Sequence, residues 1–290
     1  MFKYYDNITK TLTIPCKFNE EIKDIPNDTE NIIFNENLKK KNKYSNFNQK
    51  IKENILPNSL HTLTLGYCFN QEIKENVLPN SLHTLTLGYD FNQEIKENVL
   101  PCSLHTLNFL SYRFNQAIKE NVLPCSLHTL TFYGLYNQEI KENVLPDSLH
   151  TLSLSWSFNQ EIKENVLPCS LHTLTFHDKF NQVIKENILP NSLHTLRFGY
   201  VFNQEIKENV LPKSIKKIDL WTHCNLINNL PLQLEEVCIK FHDNDKYNKE
   251  INNLPITLEK IVISDEKYLK YITKIPFGCD TVIQKIEFLI

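Results

Sequence analysis

Glycine is scarce in this chain, with five residues in 290, and the glycine-rich loops that cradle phosphates are missing with it. No G-x-S-x-G, P-loop or H-E-x-x-H motif occurs, so neither catalytic residues nor a cofactor nor a metal is expected. A basic excess is absent too: the net charge is −3 with pI near 6.4, and lysines recur evenly, which disfavours nucleic acid as a partner. No run of 18 or more apolar residues exists, and the opening MFKYYDNITKTLTIP has no apolar stretch of signal-peptide length. The expectation is an intracellular, cytoplasmic chain with no membrane partner.

What the chain does have is a period. Pro57, Pro79, Pro101, Pro124, Pro146, Pro168, Pro190 and Pro212 stand 22 residues apart, except for one step of 23. The stretch FNQEIKENVLPNSLHTLTLGYD at 69–90 recurs in near-copy along most of the chain. Such regularity means stacked coils, each touching only its neighbours.

Within a unit, Leu60, Leu63 and Leu65 have the spacing L-x-x-L-x-L, predicting a strand with its leucines inward and Thr62, Thr64 and Gly66 outward. Copies repeating in one sense make parallel strands joined by right-handed crossovers. The return path at 69–81 has room for one 3₁₀ turn or a polyproline-like segment. Ile73, Val77 and Leu78 face inward from it, and Glu72, Lys74 and Glu75 face water.

The predicted fold is therefore an all-β, right-handed solenoid forming one domain over residues 1–290. Residues 1–46 are degenerate coils with a loop at 39–43, 47–212 the regular repeats, and 213–290 degenerate coils and a cap. Thirteen strands are expected, the last carried by Ile283, Ile286 and Phe288.

Stacking turns repeated residues into columns. Asn48, Asn70, Asn92, Asn115, Asn137, Asn159, Asn181 and Asn203 predict an amide ladder that satisfies backbone groups. Phe47, Phe69, Phe91, Phe114, Phe158, Phe180 and Phe202, with Tyr136, predict a buried aromatic spine. His61, His83, His105, His128, His150, His172 and His194 predict a row of stacked rings bonded to backbone, made less stable by acid. Lys74-Glu75-Asn76 and its copies read as a solvated face with weak cross-coil ion pairs.

Eight cysteines are present. Cys102, Cys125 and Cys169 share a repeat position with Asn58, Asn80, Asp147, Asn191 and Lys213, which marks an exposed turn and free thiols.

Function is expected where the copies differ, at the strand exits. Tyr67, Tyr89, Tyr112, Tyr133, Trp156, His177, Asp178, Arg197, Tyr200 and Trp221 form a row of aromatic and charged residues with the composition of interface anchors. An extra residue near Leu110-Ser111-Tyr112 predicts a local bulge.

The pattern Phe-Asn, an Ile three residues on, Leu-Pro, then S-L-x-x-L-x-L resembles the FNIP repeat, a relative of leucine-rich repeats. That resemblance implies a leucine-rich-repeat-like solenoid used for protein contacts, often placed behind an F-box, although no F-box is recognisable in residues 1–46. The expected role is non-enzymatic binding of a protein partner through a concave strand face and its aromatic rim. The alternatives are a substrate-recognition component in ubiquitination and a structural or self-associating protein.

Overall fold

The proline ruler works through one local bond. In each coil the carbonyl of the proline accepts the N–H three residues on, as from Leu60 to Pro57 and from Leu82 to Pro79, both at 3.0 Å. This turn delivers the chain into the strand that begins two residues later. The computed structural model describes residues 4–34, 44–207, 209–244, 246 and 248–284, and groups the chain into two compact units, 1–155 and 156–290.

In the first unit the strands are β1 (Tyr5–Asp6), β2 (Thr11–Ile14), β3 (Asn31–Phe34), β4 (Thr62–Thr64), β5 (Thr84–Leu87), β6 (Thr106–Phe109), β7 (Thr129–Phe132) and β8 (Thr151–Ser153). From β2 to β8 neighbours pair in parallel and in register, with Leu63 opposite Leu85, Leu85 opposite Leu107, and Leu107 opposite Leu130. β1 was not anticipated from the sequence. It turns back antiparallel onto β2, Tyr5 opposite Leu12, and covers an edge that would otherwise expose unpaired backbone groups.

The second unit holds β9 (Thr173–Thr175), β10 (Thr195–Arg197), β11 (Lys217–Trp221), β12 (Glu236–Lys240), β13 (Lys260–Ile263) and β14 (Asp280–Ile283), again all parallel. The last strand needs correcting. Thr281 and Ile283 lie opposite Ile261 and Ile263, whereas the sequence reading began the strand motif at Ile283; Ile286 and Phe288 fall outside the described residues. The missed signal is Pro276, whose carbonyl accepts the Cys279 N–H at 3.2 Å and so repeats the proline turn.

Each unit is a β-solenoid with almost no helix. The described 3₁₀ segments, Asn225–Asn228 and Glu266–Tyr271, lie in the degenerate coils of the second unit, while the regular return paths are made of turns and non-helical backbone. Inside, like packs on like. Phe47, Phe69, Phe91 and Phe114 are buried, with successive ring centroids 5.9 to 6.2 Å apart. A buried Leu or Ile contributes about 1.5–3 kcal/mol through lost water contact, and Leu63, Leu85, Leu107 and Leu130 are all fully enclosed.

The asparagine ladder is present and bonded in one direction. Asn70 N–H donates to Asn48 Oδ1 at 2.9 Å, Asn92 to Asn70 at 2.9 Å, Asn115 to Asn92 at 3.0 Å and Asn137 to Asn115 at 2.9 Å. In the second unit Asn181 donates to Asn159 and Asn203 to Asn181. The following glutamine adds a second donor, as when Gln71 Nε2 meets Asn48 Oδ1 at 3.0 Å. Asn19 and Asn225 extend the ladder into coils whose sequences have otherwise drifted.

Glu72 pairs with Lys96 of the next coil at 2.6 Å, as does Glu94 with Lys119. The asparagine of the Lys-Glu-Asn triplet does something the solvated-face reading missed. Asn54, Asn76, Asn98, Asn121, Asn143, Asn165, Asn187 and Asn209 all sit in the left-handed region, φ between 59° and 70°. Most L-residues lose about 1–2 kcal/mol there, and asparagine is among the few that enter it readily. Urea denaturation should therefore find Asn98→Ala less stable by about 1 kcal/mol and Asn98→Gly close to wild type; equal losses for the two would contradict a backbone role.

Candidate functional site

In the first unit the strand exits build a ladder of tyrosines. Gly66 and Gly88 follow the β4 and β5 segments, and both are buried, which corrects the outward placement expected for Gly66. A Cβ on Gly88 would lie 2.1 Å from the Gly66 carbonyl oxygen, so absence of a side chain lets successive coils approach at this corner. Tyr67 and Tyr89 then stack with centroids 4.3 Å apart and planes 7° from parallel. Tyr44, which sequence reasoning missed, stacks on Tyr67 at 4.1 Å, and Tyr112 on Tyr89 at 5.2 Å.

The extra residue of the third proline step, Pro101 to Pro124, is absorbed by Ser111. Its buried hydroxyl accepts the Phe114 N–H at 3.0 Å and donates to the Phe91 carbonyl at 2.6 Å. Leu110 and Tyr112 on either side are thereby turned outward, 49% and 37% exposed. One coil on, Gly134 passes against Tyr112 with φ 61°, where a Cβ would stand 2.3 Å from the Tyr112 Cα. Tyr133 precedes that glycine and so sits one position before the column that Tyr67, Tyr89 and Tyr112 share.

Tyr44, Tyr67, Tyr89 and Leu110 line, with Ile33 and Thr64 of the strand face, an open groove of about 770 Å³. Loss of solvent, then the neighbouring Tyr89 and Asp90, push the Tyr67 hydroxyl up to about 12, so it remains a donor at neutral pH. Asp90 and Arg113 form an ion pair beside the ladder at 3.1 Å. The groove offers ring edges, hydroxyls and a few apolar side chains, a surface suited to contact and not to bond-making chemistry.

The second unit arranges its exits differently. Arg197 leaves the threonine pattern of the strand face and pairs with Asp219 of the next strand, Nε to Oδ2 2.9 Å. Tyr200 meets Trp221 edge-on at 5.0 Å and 82°, and His223 and His242, absent from the sequence-derived set, complete a four-ring cluster. Trp156 and His177 are half-buried, and Asp178 is exposed. The carbonyls of Trp156 and Asp178 accept N–H groups from Lys179 and Val201, at 3.0 and 2.9 Å.

The histidine row stacks as expected, with centroids 5.1 to 5.3 Å apart from His61 to His150 and 5.2 Å between His172 and His194. From His83 on, each ring of the row contacts the serine carbonyl two residues back, as His105 Nδ1 does with Ser103 at 2.6 Å. A carbonyl only accepts, so Nδ1 carries the proton. The serine hydroxyls donate to the preceding coil, Ser103 Oγ to the Leu82 carbonyl at 2.7 Å. Among the described residues no group of three or more His, Cys, Asp and Glu could hold a metal ion, and no helix is long and apolar enough to cross a membrane.

His223 Nδ1 and His242 Nε2 face each other at 2.8 Å. One must donate and the other accept, so two charged rings cannot share this contact. Burial, and Lys249 beside it, hold His223 below its usual range; burial, then His223, do the same for His242; burial lowers His177. The unfolded chain therefore takes up protons that the folded one refuses. Their contribution to stability is complete above the ordinary histidine value of 6.5 and is lost as the pH falls through and below it. Denaturant midpoints for residues 156–290, followed by Trp fluorescence, should fall between pH 7.5 and 5.5. In His223→Phe/His242→Phe the fall should shrink, and an unchanged pH slope would count against the pair.

The FNIP repeat matches residues 47–90, 91–134, 136–179 and 180–222. Among solved structures, the crystal structure of CroV588, described as a novel circular LRR protein, is 38% identical, with TM-score 0.56 over 87% of this chain and 43% of that one. The chain thus spans less than half of that relative's length. The pneumococcal vaccine antigen PcpA is 18% identical over 98% of this chain and 82% of its own, but its TM-score of 0.20 is too low to bear on the fold. No curated protein matches the chain. Four consecutive matches, over coils whose proline turns, phenylalanine spine and leucine strands are all in place, make this chain a member of the FNIP repeat family with a leucine-rich-repeat-like fold.

Proposed function

We propose that this chain is a non-enzymatic protein-binding scaffold whose contact surface is the strand face and tyrosine rim of its first unit. Repeat proteins of leucine-rich-repeat-like fold commonly mediate protein interactions, and the observation that carries the reading further is the ladder of Tyr44, Tyr67, Tyr89 and Tyr112. Stacking fixes these rings before any partner arrives, so little side-chain freedom is lost on contact. Leu110 and Tyr112 stand out where the regular repeat is broken, and exposed aromatic and aliphatic side chains beside an Asp90–Arg113 pair have the make-up of an anchor with a polar rim. The repeated serines and histidines support the same reading, since each is engaged with a backbone carbonyl and not with the other as nucleophile and base.

The test is a photo-cross-linking residue placed in cells at Leu110 and, separately, at Val183, which is equally exposed at 53% on a return path. Position 110 should capture a defined protein, and Tyr67→Ala/Tyr89→Ala should reduce that capture about tenfold, the effect of losing roughly 1.4 kcal/mol of binding. Adducts of equal kind and yield from both positions, or capture indifferent to the tyrosines, would overturn the proposal. Ubiquitin-ligase components or a second copy of the chain in the adduct would identify the partner class.

A further inference from the structure

Register does for two cysteines what it does for the asparagines. Cys102 and Cys125 follow Pro101 and Pro124, whose carbonyls accept the N–H of Leu104 and Leu127 at 3.0 Å each, so both sit at the same place in the same turn. The two coils are tied in register just beyond it. Ser126 Oγ donates to the Leu104 carbonyl at 2.8 Å, His128 N–H to His105 at 2.9 Å, and Thr106 lies opposite Thr129. Equivalent backbone positions are then one strand spacing apart, about 4.8 Å, inside the roughly 4.4–6.8 Å range over which Cα atoms accept a disulfide. Both thiols are exposed and free.

None of the other cysteines described shares this placement. Cys224 and Cys238 are buried, Cys16, Cys68 and Cys279 are partly covered, and Cys169 is exposed but has Asn191 at its position one coil on. We propose that Cys102 and Cys125 form a cross-coil dithiol, a modification site that a disulfide oxidant of the glutathione type closes reversibly.

The thiolate of one cysteine attacks glutathione disulfide, forming a mixed disulfide and expelling one glutathione thiolate. The second cysteine's thiolate then attacks the protein sulfur of that mixed disulfide, forming the Cys102–Cys125 bond and expelling the second. Two protein thiols are oxidised and one glutathione disulfide is reduced to two thiols, so electrons and protons balance. Parallel Cβ vectors begin near one strand spacing apart, about 1 Å beyond the usual disulfide separation, so closing the bond draws the turns together. An exposed bond with that strain is labile and not a permanent brace. It ties the coil carrying Leu110 and Tyr112 to the one after it.

The experiment incubates the purified full chain with glutathione disulfide, alkylates the remaining thiols and maps them by mass spectrometry after separating monomer from dimer. The expected result is a linked Cys102–Cys125 peptide in the monomer, reopened by excess reduced glutathione, while Cys169 carries only a glutathione adduct. Cys102→Ser should leave Cys125 as a glutathione adduct, like Cys169. If Cys102, Cys125 and Cys169 carry glutathione in similar proportion with no linked peptide, or the link forms only between copies, the proposal fails.

Discussion

The structure of each unit depends on one constraint: successive coils lie in register, one strand spacing apart, so every side chain must tolerate a copy of itself as neighbour. Apolar residues meet that condition at once, which is why Leu63, Leu85, Leu107 and Leu130 enclose one another completely. Polar residues meet it only when the stack itself supplies hydrogen-bond partners for them. Asparagine qualifies because its Oδ1 accepts the backbone N–H of the next asparagine while its own N–H reaches back to the one before. Serine and histidine qualify by bonding to carbonyls, across coils and within the coil respectively. Glutamates and lysines fall in columns of like charge, and the repulsion is offset because each glutamate reaches a lysine of the next coil, Glu72 to Lys96 and Glu94 to Lys119.

Individuality enters where a column is interrupted. Ser111 takes up one extra residue without disturbing the phenylalanine spine, because a buried hydroxyl satisfies the backbone groups the insertion would strand. The consequence is a pair of exposed side chains, Leu110 and Tyr112, at the top of a tyrosine ladder that Gly134 then ends. In the second unit the break is chemical: Arg197 and Asp219 replace the face's uncharged residues, and aromatic and imidazole rings gather around Trp221. The scaffold is thus uniform where it is buried and particular at the strand exits, the arrangement expected when one repeated unit supplies stability and its variations supply recognition.

Much of this was legible in the sequence because stacking converts periodicity directly into contact. The leucine strands, the phenylalanine spine and the asparagine ladder follow from spacing alone. Features that depend on backbone conformation were harder to see. Nothing in the Lys-Glu-Asn triplet announces that its asparagine adopts positive φ, and Gly66 looks like an outward strand residue until the preceding coil is found pressed against it. The degenerate ends misled for another reason: with the apolar spacing worn down, Pro276 was the surviving register mark, and β1 reverses direction outside the repeat altogether. At the candidate site Tyr67, Tyr89 and Tyr112 were visible as a column, but Tyr44 lies where the spacing of the repeat is interrupted in the sequence and Tyr133 is one position out of line. His223 and His242 come from different degenerate coils, and only the fold brings their nitrogens together.

The central claim, that register is maintained by each asparagine holding the next, is tested most directly by hydrogen exchange at the Asn115 amide in wild type and in Asn92→Ala. Asn92 Oδ1 accepts from that amide at 3.0 Å, while Gln116 Nε2 reaches both Asn92 Oδ1 and the Asn92 carbonyl at 3.2 Å, so the substitution strips the Asn115 amide of its acceptor and leaves Gln116 the carbonyl, at a cost of about 0.5–1.5 kcal/mol. The account predicts faster exchange at Asn115, equivalent to that loss, with Asn92→Asp retaining protection because a carboxylate still accepts. Protection at Asn115 that is identical in wild type and Asn92→Ala would contradict it.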